Sequence, residues 1–305
     1  MFIMILYIFS YLFILILIPI FDVFLKNVKN ILNWRKTMSL FQTYFDLIKL
    51  FKKTNFKSQF TSFFNFLAPL LILTSSLLFL FFIPTISNIL DTNIFILFHI
   101  LWLSSVFLML YALDNATYFW WLWAARESFV LALTEPLIIL VIMCFVIISW
   151  WNMNLLSISN AISLNTDPII CFFIITLWIN LFAILLAENK RFPFDNPSTH
   201  LELTMIHEAM LLETNWSKLA IMEIASKVTL FWFINLIIFL FWNNFYWVSN
   251  IFWMFWILLW KIAVILIIIA FFEVFITKIR LFRYQNVFSF LLVLELIMLL
   301  FVLLK

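Results

Sequence analysis

The chain has 305 residues, 67% hydrophobic and 11% charged, with a formal net charge of +3. A soluble domain is nearer half apolar and a quarter charged, so no water-soluble core hides this much apolar surface. The few lysines and arginines do not interleave with aromatics on a polar segment, which counts against nucleic acid as a partner.

The apolar residues fall in runs of about twenty, the length that crosses a bilayer as helix. They predict eight spans, roughly 2–22, 63–84, 94–113, 129–151, 169–187, 229–242, 251–275 and 287–304. The expected fold is an all-α polytopic membrane protein, a single membrane domain over 1–305, with amphipathic helices in its inner loops. The first run lacks a basic leader and a small-residue cleavage site, so it is expected to be retained as a helix.

Placing the odd-numbered connections on one side collects sixteen of the eighteen basic residues there and none in the three opposite loops. The positive-inside rule then puts the long first, third and fifth loops in the cytoplasm or matrix. This is the topology of a prokaryotic cytoplasmic membrane or a mitochondrial-type inner membrane. The outer loops, about 85–93, 152–168 and 243–250, carry only Asp91 and Asp167 as charges and read as simple turns.

Within the first inner loop, 23–62, Phe41, Phe45, Ile48 and Phe51 recur at helical spacing opposite Gln42, Asp46, Lys49, Lys52 and Lys53. That pattern predicts an amphipathic helix lying in the interface. The acidic inner loop, 188–228, carries a second helix signal: Asn196-Pro197 opens it, Thr199 and Glu202 have capping-box spacing, and it runs through His207 towards Glu213. No internal repeat of the secondary-transporter kind is present.

An ionisable residue at membrane depth costs ~2.5–3.5 kcal/mol on insertion scales, so each one asks for a reason. Glu135 lies between Thr134 and Pro136 in the fourth span, Lys261 about ten residues into the seventh, Glu273 near that helix's inner end, and Glu295 mid-span in the eighth. They suit proton or ion movement. The structural alternatives are an ion pair of Lys261 with Glu135 or Glu295, and an interfacial place for Glu273. Cys144 and Cys171 sit inside apolar runs without ligand spacing and read as buried thiols.

The densest polar stretch runs from Glu188 to Glu213. With Glu223 just beyond, it holds Glu188, Asp195, Glu202, Glu208 and Glu213 together with His200 and His207, beside Lys190 and Arg191. His207-Glu208 is not the HExxH zinc motif, because position 211 is Leu. A solvated surface helix accounts for the charges. A buried proton relay or a docking surface accounts better for so many acids directly after a membrane helix.

This stretch resembles the fifth inner loop of the respiratory complex I subunit 1 family, most closely its branch in membrane-bound [NiFe] hydrogenases, the formate hydrogenlyase subunit 4 type. Arg35 with Gln42 to Leu50 agrees in the first loop. So does Leu113-Asp114 followed by Ala125-Arg126-Glu127 and Glu135-Pro136. The resemblance covers most of the chain in order. Ser198 and His200, where the quinone-binding branch usually has acids, favour the hydrogenase branch.

The resemblance implies a subunit with no redox centre, catalytic residue or metal of its own. Such a subunit seats a peripheral module carrying iron–sulfur clusters and [NiFe], and joins it to antiporter-like membrane subunits. It implies that Glu135, Glu188, Arg191, Asp195, Glu202 and Glu213 line an interior polar path, with Glu208, Arg126, Asp46 and Lys261 as further proton-path or docking candidates. The near alternative is the quinone-site subunit 1 of NADH dehydrogenase, with quinone as ligand. An alternative of another class is a secondary transporter with Glu135 and Lys261 at a mid-membrane site.

One departure stands out: the chain has no glycine. Where the family has glycines this sequence has Trp120, Trp121, Trp123 and Trp216, and Thr37-Met38-Ser39 replaces a Gly-Pro-Gly turn. The first and third inner loops are therefore expected to depart from the family's geometry. A nucleotide bias towards Phe, Ile, Leu, Asn and Lys is one reading, and an unusual codon assignment read as Trp is the other.

Overall fold

A computed structural model of the chain describes residues 2–54, 62–83, 92–114, 118–165, 167–195, 208–211, 214–242 and 251–303. Its helices, in chain order, are α1 (Phe2–Leu32), α2 (Gln42–Lys52), α3 (Phe63–Phe82), α4 (Ile94–Asp114) and α5 (Tyr118–Ile148). They continue as α6 (Leu155–Leu164), α7 (Pro168–Glu188), α8 (Trp216–Phe241), α9 (Ile251–Phe275) and α10 (Tyr284–Leu303). Short 3₁₀ turns occupy Glu208–Leu211 and Leu281–Arg283. Among the described residues there is no strand, only an isolated bridge between Asn93 and Asn154.

Among the described residues, seven helices are long and apolar enough to cross a membrane. The remaining expected span is α3, 20 residues long, whose described side chains give an apolar stretch only from Phe63 to Phe79. Each predicted span thus coincides with a helix, but three helices outrun their apolar stretch. α1 continues to Leu32, α5 begins at Tyr118 and α8 at Trp216. A hydropathy reading stops at the first charge, whereas helical hydrogen bonding continues as long as the charges find partners. Lys26 and Asp22, one turn apart on α1, pair at 2.9 Å.

Two expectations change as a result. The loop expected over 188–228 gives up its last third to α8, and the first inner loop begins only after Leu32. The outer connection expected at 152–168 is more than a turn: it holds α6, with Leu155, Ile158 and Ile162 buried against its neighbours α5 and α8. The helix expected from Asn196 to Glu213 lies mostly outside the described residues, as do Asp91, Ser198, His200, Glu202, His207 and Glu213. Glu208 opens a 3₁₀ turn, and its side chain is likewise outside them.

α8 is the centre of the bundle. It touches α1, α2, α3, α6, α7 and α9, and every residue from Leu230 to Leu240 is buried. A helix apolar on all sides belongs where it meets protein on all sides. The outer faces of α9 and α10 expose Trp253, Trp256, Phe290 and Phe301, as helices facing hydrocarbon do.

The predicted amphipathic helix is α2. Phe41, Phe45, Ile48 and Phe51 are exposed, while Thr43 and Leu47 face inward. The Tyr44 hydroxyl donates to the Ile16 carbonyl, and Lys53 sits 3.5 Å over the Trp216 ring, fastening α2 to α1 and α8. Ahead of it, Asn27 clasps the loop by donating to the Met38 carbonyl at 3.1 Å and accepting the Met38 N–H at 2.7 Å.

Candidate functional site

The charged residues converge where α1, α7, α8 and α9 meet at one face of the bundle, the inner face by the expected side of its basic loops. Asp22 is buried on α1 and faces three cations: Lys26 at 2.9 Å, Lys227 of α8 at 3.9 Å and Arg191 at 4.0 Å. Arg191 reaches on to buried Glu273 of α9 at 3.3 Å, and Lys29 meets the same carboxylate at 2.5 Å. Lys227 also holds Glu223 one turn earlier at 3.3 Å. A lone buried charge is costly, and shared pairing offsets that cost.

The segment after α7 places Arg191. α7 closes with Lys190 at φ 55° and an Arg191 N–H bonded to the Leu186 carbonyl at 2.8 Å. Phe194 and Asp195 then bond back to the Arg191 carbonyl at 2.9 and 3.1 Å. The far side is pinned too: the Ile279 N–H donates to the Pro193 carbonyl, the Tyr284 hydroxyl donates to the Phe194 carbonyl, and Lys278 pairs with Asp195 at 2.7 Å. Phe194 stacks on Phe288, closing the apolar side.

A cavity of about 660 Å³ opens among these groups, lined by Asp22, Lys26, Lys29, Glu188, Lys190, Arg191, Asp195, Glu223 and Lys227, with Leu101, Leu108 and Leu230 on its apolar wall. Glu188, half-buried at the end of α7, accepts from Thr134 at 3.0 Å and Ser105 at 3.4 Å. Glu127 is close enough for its charge to act on Glu188 and pairs with Lys190 at 3.2 Å.

From here polar groups climb the seam between α4 and α5. Ser105 and Thr134 form one level. Farther from the inner face on both helices, Trp102 Nε1 donates to Glu135. Glu135 is thus on the same seam but not among the cavity's lining residues.

The expected ion pairs give way to other partners. Lys261 is buried, donates to the Trp242 carbonyl at 2.5 Å and lies 5.5 Å from the Trp242 ring centre, so it caps the outer end of α8, where the helix dipole favours a cation. Glu295 is fully buried and accepts from Asn180 of α7 at 2.5 Å. Glu273, expected at the interface, is buried within the inner network.

Of the remaining candidates, Asp46 is exposed on α2 and accepts from Gln42 at 3.1 Å, and Arg126 lies on α5 beside Glu127 in sequence. Asp22 was not singled out from the sequence; its one local signal is the acid placed four residues before Lys26. Both cysteines are free thiols, Cys144 buried and Cys171 partly so. No group of three His, Cys, Asp or Glu side chains among the described residues could hold a metal ion.

Residues 3–303 match the protein family described as NADH dehydrogenase. No curated protein matches the chain. In fold it is similar to a chain in the structure of the membrane-bound sulfane sulfur reductase, an archaeal respiratory membrane complex. The TM-score is 0.80 at 16% identity, covering 95% of this chain and 98% of that one. At that identity the likeness is one of fold, and it is the family match, running nearly end to end, that carries the assignment: the chain is a multi-pass membrane protein belonging to the NADH dehydrogenase family.

Proposed function

We propose that the chain is the membrane subunit of a complex I-type respiratory complex that seats a peripheral redox module on its inner loops and passes protons from its inner cavity into the membrane. The observation that carries this reading is the continuous run of paired charges from Glu223 through Lys227, Asp22 and Arg191 to the cavity. There Glu188 meets the seam that leads to Glu135. Glu188 is suited to taking and releasing protons, because the Thr134 and Ser105 hydroxyls beside it can donate to a carboxylate or accept from a carboxylic acid. The finer reading, a module with iron–sulfur clusters and [NiFe], rests on the Glu188–Glu213 resemblance, and purification in mild detergent should bring such a module down with the chain.

The test is Glu188→Gln in the whole complex, reconstituted in vesicles with redox turnover and proton movement measured separately. Fewer protons per electron at near-normal complex yield is the expected result. Unchanged stoichiometry removes the cavity from the path.

A second reading is favoured by the cavity's size. About 660 Å³ lies within the range of small-ligand pockets, and its wall is partly apolar, which suits a quinone headgroup. A photoreactive quinone that labels Met38 or Met222 would support it, and labelling only of partner subunits would remove it.

A further inference from the structure

We propose that Trp34, Trp150 and Trp151 occupy glycine positions, and that the codon written as tryptophan at these three sites is decoded as glycine in the cell that makes this protein. The observation is independent of the function proposed above.

Among the described residues only four hold a positive φ, and three of them are these tryptophans, at 57°, 57° and 65°. Two sit at a specific place. After α1, the Trp34 N–H bonds to the Ile31 carbonyl at 3.1 Å and the Arg35 N–H to the Asn30 carbonyl at 2.7 Å. After α5, the Trp150 N–H bonds to the Ile147 carbonyl at 3.2 Å and the Trp151 N–H to the Val146 carbonyl at 2.8 Å. Both are Schellman closures, with Trp34 and Trp150 at the left-handed position that glycine ordinarily fills, because a Cβ there crowds the backbone. For a bulky residue that backbone is an outlier.

The fourth residue shows what a compensated case looks like. Lys190 closes α7 with the same pair of bonds, and its ammonium is held by Glu127 at 3.2 Å. The three indoles have no such return. They are 98%, 90% and 75% exposed, and among the described residues none of them makes a ring contact or a side-chain hydrogen bond. An aromatic belt at the membrane interface accounts for exposed tryptophan. It does not account for the left-handed backbone, since an indole at the same depth needs no particular φ.

The chain as a whole agrees: it has fifteen tryptophans and no glycine. Other tryptophans use their indoles. Trp232 is fully buried against Tyr11 with ring centres 5.8 Å apart, and Trp102 donates to Glu135. Two populations under one letter imply two codons, one read as tryptophan at 102 and 232 and one read as glycine at 34, 150 and 151.

The test is tandem mass spectrometry of the chain purified from its native membranes, covering all five positions. The expected result is glycine at 34, 150 and 151, each peptide lighter by the tryptophan–glycine difference, with tryptophan at 102 and 232. Tryptophan at any of the three overturns the proposal. A recombinant series checks the backbone premise: with glycine at the three positions the folded-to-unfolded ratio should rise by roughly five-fold or more over both tryptophan and alanine. Equal folding of all three versions overturns it as well.

Discussion

Replacing Asp22 by Asn removes a charge from the hub of the inner network while keeping its volume and its contact with Thr43. Lys26 is partly exposed, and its one-turn pair is worth only about 0.3–0.5 kcal/mol. Lys227 and Arg191 matter more, with side chains only 12% and 14% exposed. Removing one partner of a buried pair costs about 3–5 kcal/mol when the other is left alone. Neither is left alone here, because Arg191 keeps Glu273 and Lys227 keeps the partly exposed Glu223. Roughly half the full cost, about 2 kcal/mol, is the expected loss. Unfolding of the purified chain in a denaturing-detergent titration measures it. Adding Lys227→Met should restore about 1 kcal/mol, since it removes a cation that has lost the buried one of its two counter-charges. A variant within about 0.5 kcal/mol of the parent, with no rescue by the second change, refutes the hub.

Arg191→Ala or Asp195→Ala should lower complex assembly or turnover while membrane insertion is unaffected, because the two residues tie the segment after α7 to α9 and to Lys278; blue-native gels and turnover assays read both. Glu135→Gln should slow proton translocation at normal complex yield, with Trp102→Phe acting in the same direction, and wild-type pumping in both takes this end of the seam out of the path. Lys261→Met should cost about 1 kcal/mol of stability by uncapping α8, and leave the proton stoichiometry alone. A loss of pumping at normal stability would instead return Lys261 to the path.

The spans were readable because a bilayer demands an uninterrupted apolar run, and each run coincides with a helix. Amphipathic α2 was readable for a similar reason: its periodicity is local. The network was not local. Asp22 meets Arg191 and Lys227, and Lys29 meets Glu273, across most of the chain's length, and nothing near those residues in sequence states the pairing. The partner of Lys261 was hidden for the same reason. Depth along a helix suggested a mid-membrane acid as its partner, whereas the carbonyl at the end of α8 lies beside it. Glu188, Arg191 and Asp195 stood out as a polar cluster, but the sequence held no sign that a positive φ at Lys190 would turn Arg191 back towards α1.

Arg191 touches two carboxylates from different helices, Asp22 and Glu273, each of which holds a further lysine. A side chain shared in this way makes the two contacts interdependent, because what draws the guanidinium towards one acid takes it away from the other. A substitution at Glu273 should consequently be felt at Asp22 as well, as a coupling of about 0.5–3 kcal/mol in a double-mutant cycle of the two. A change at α9 is in this sense already a change at α1, transmitted through one side chain without any helix having to shift.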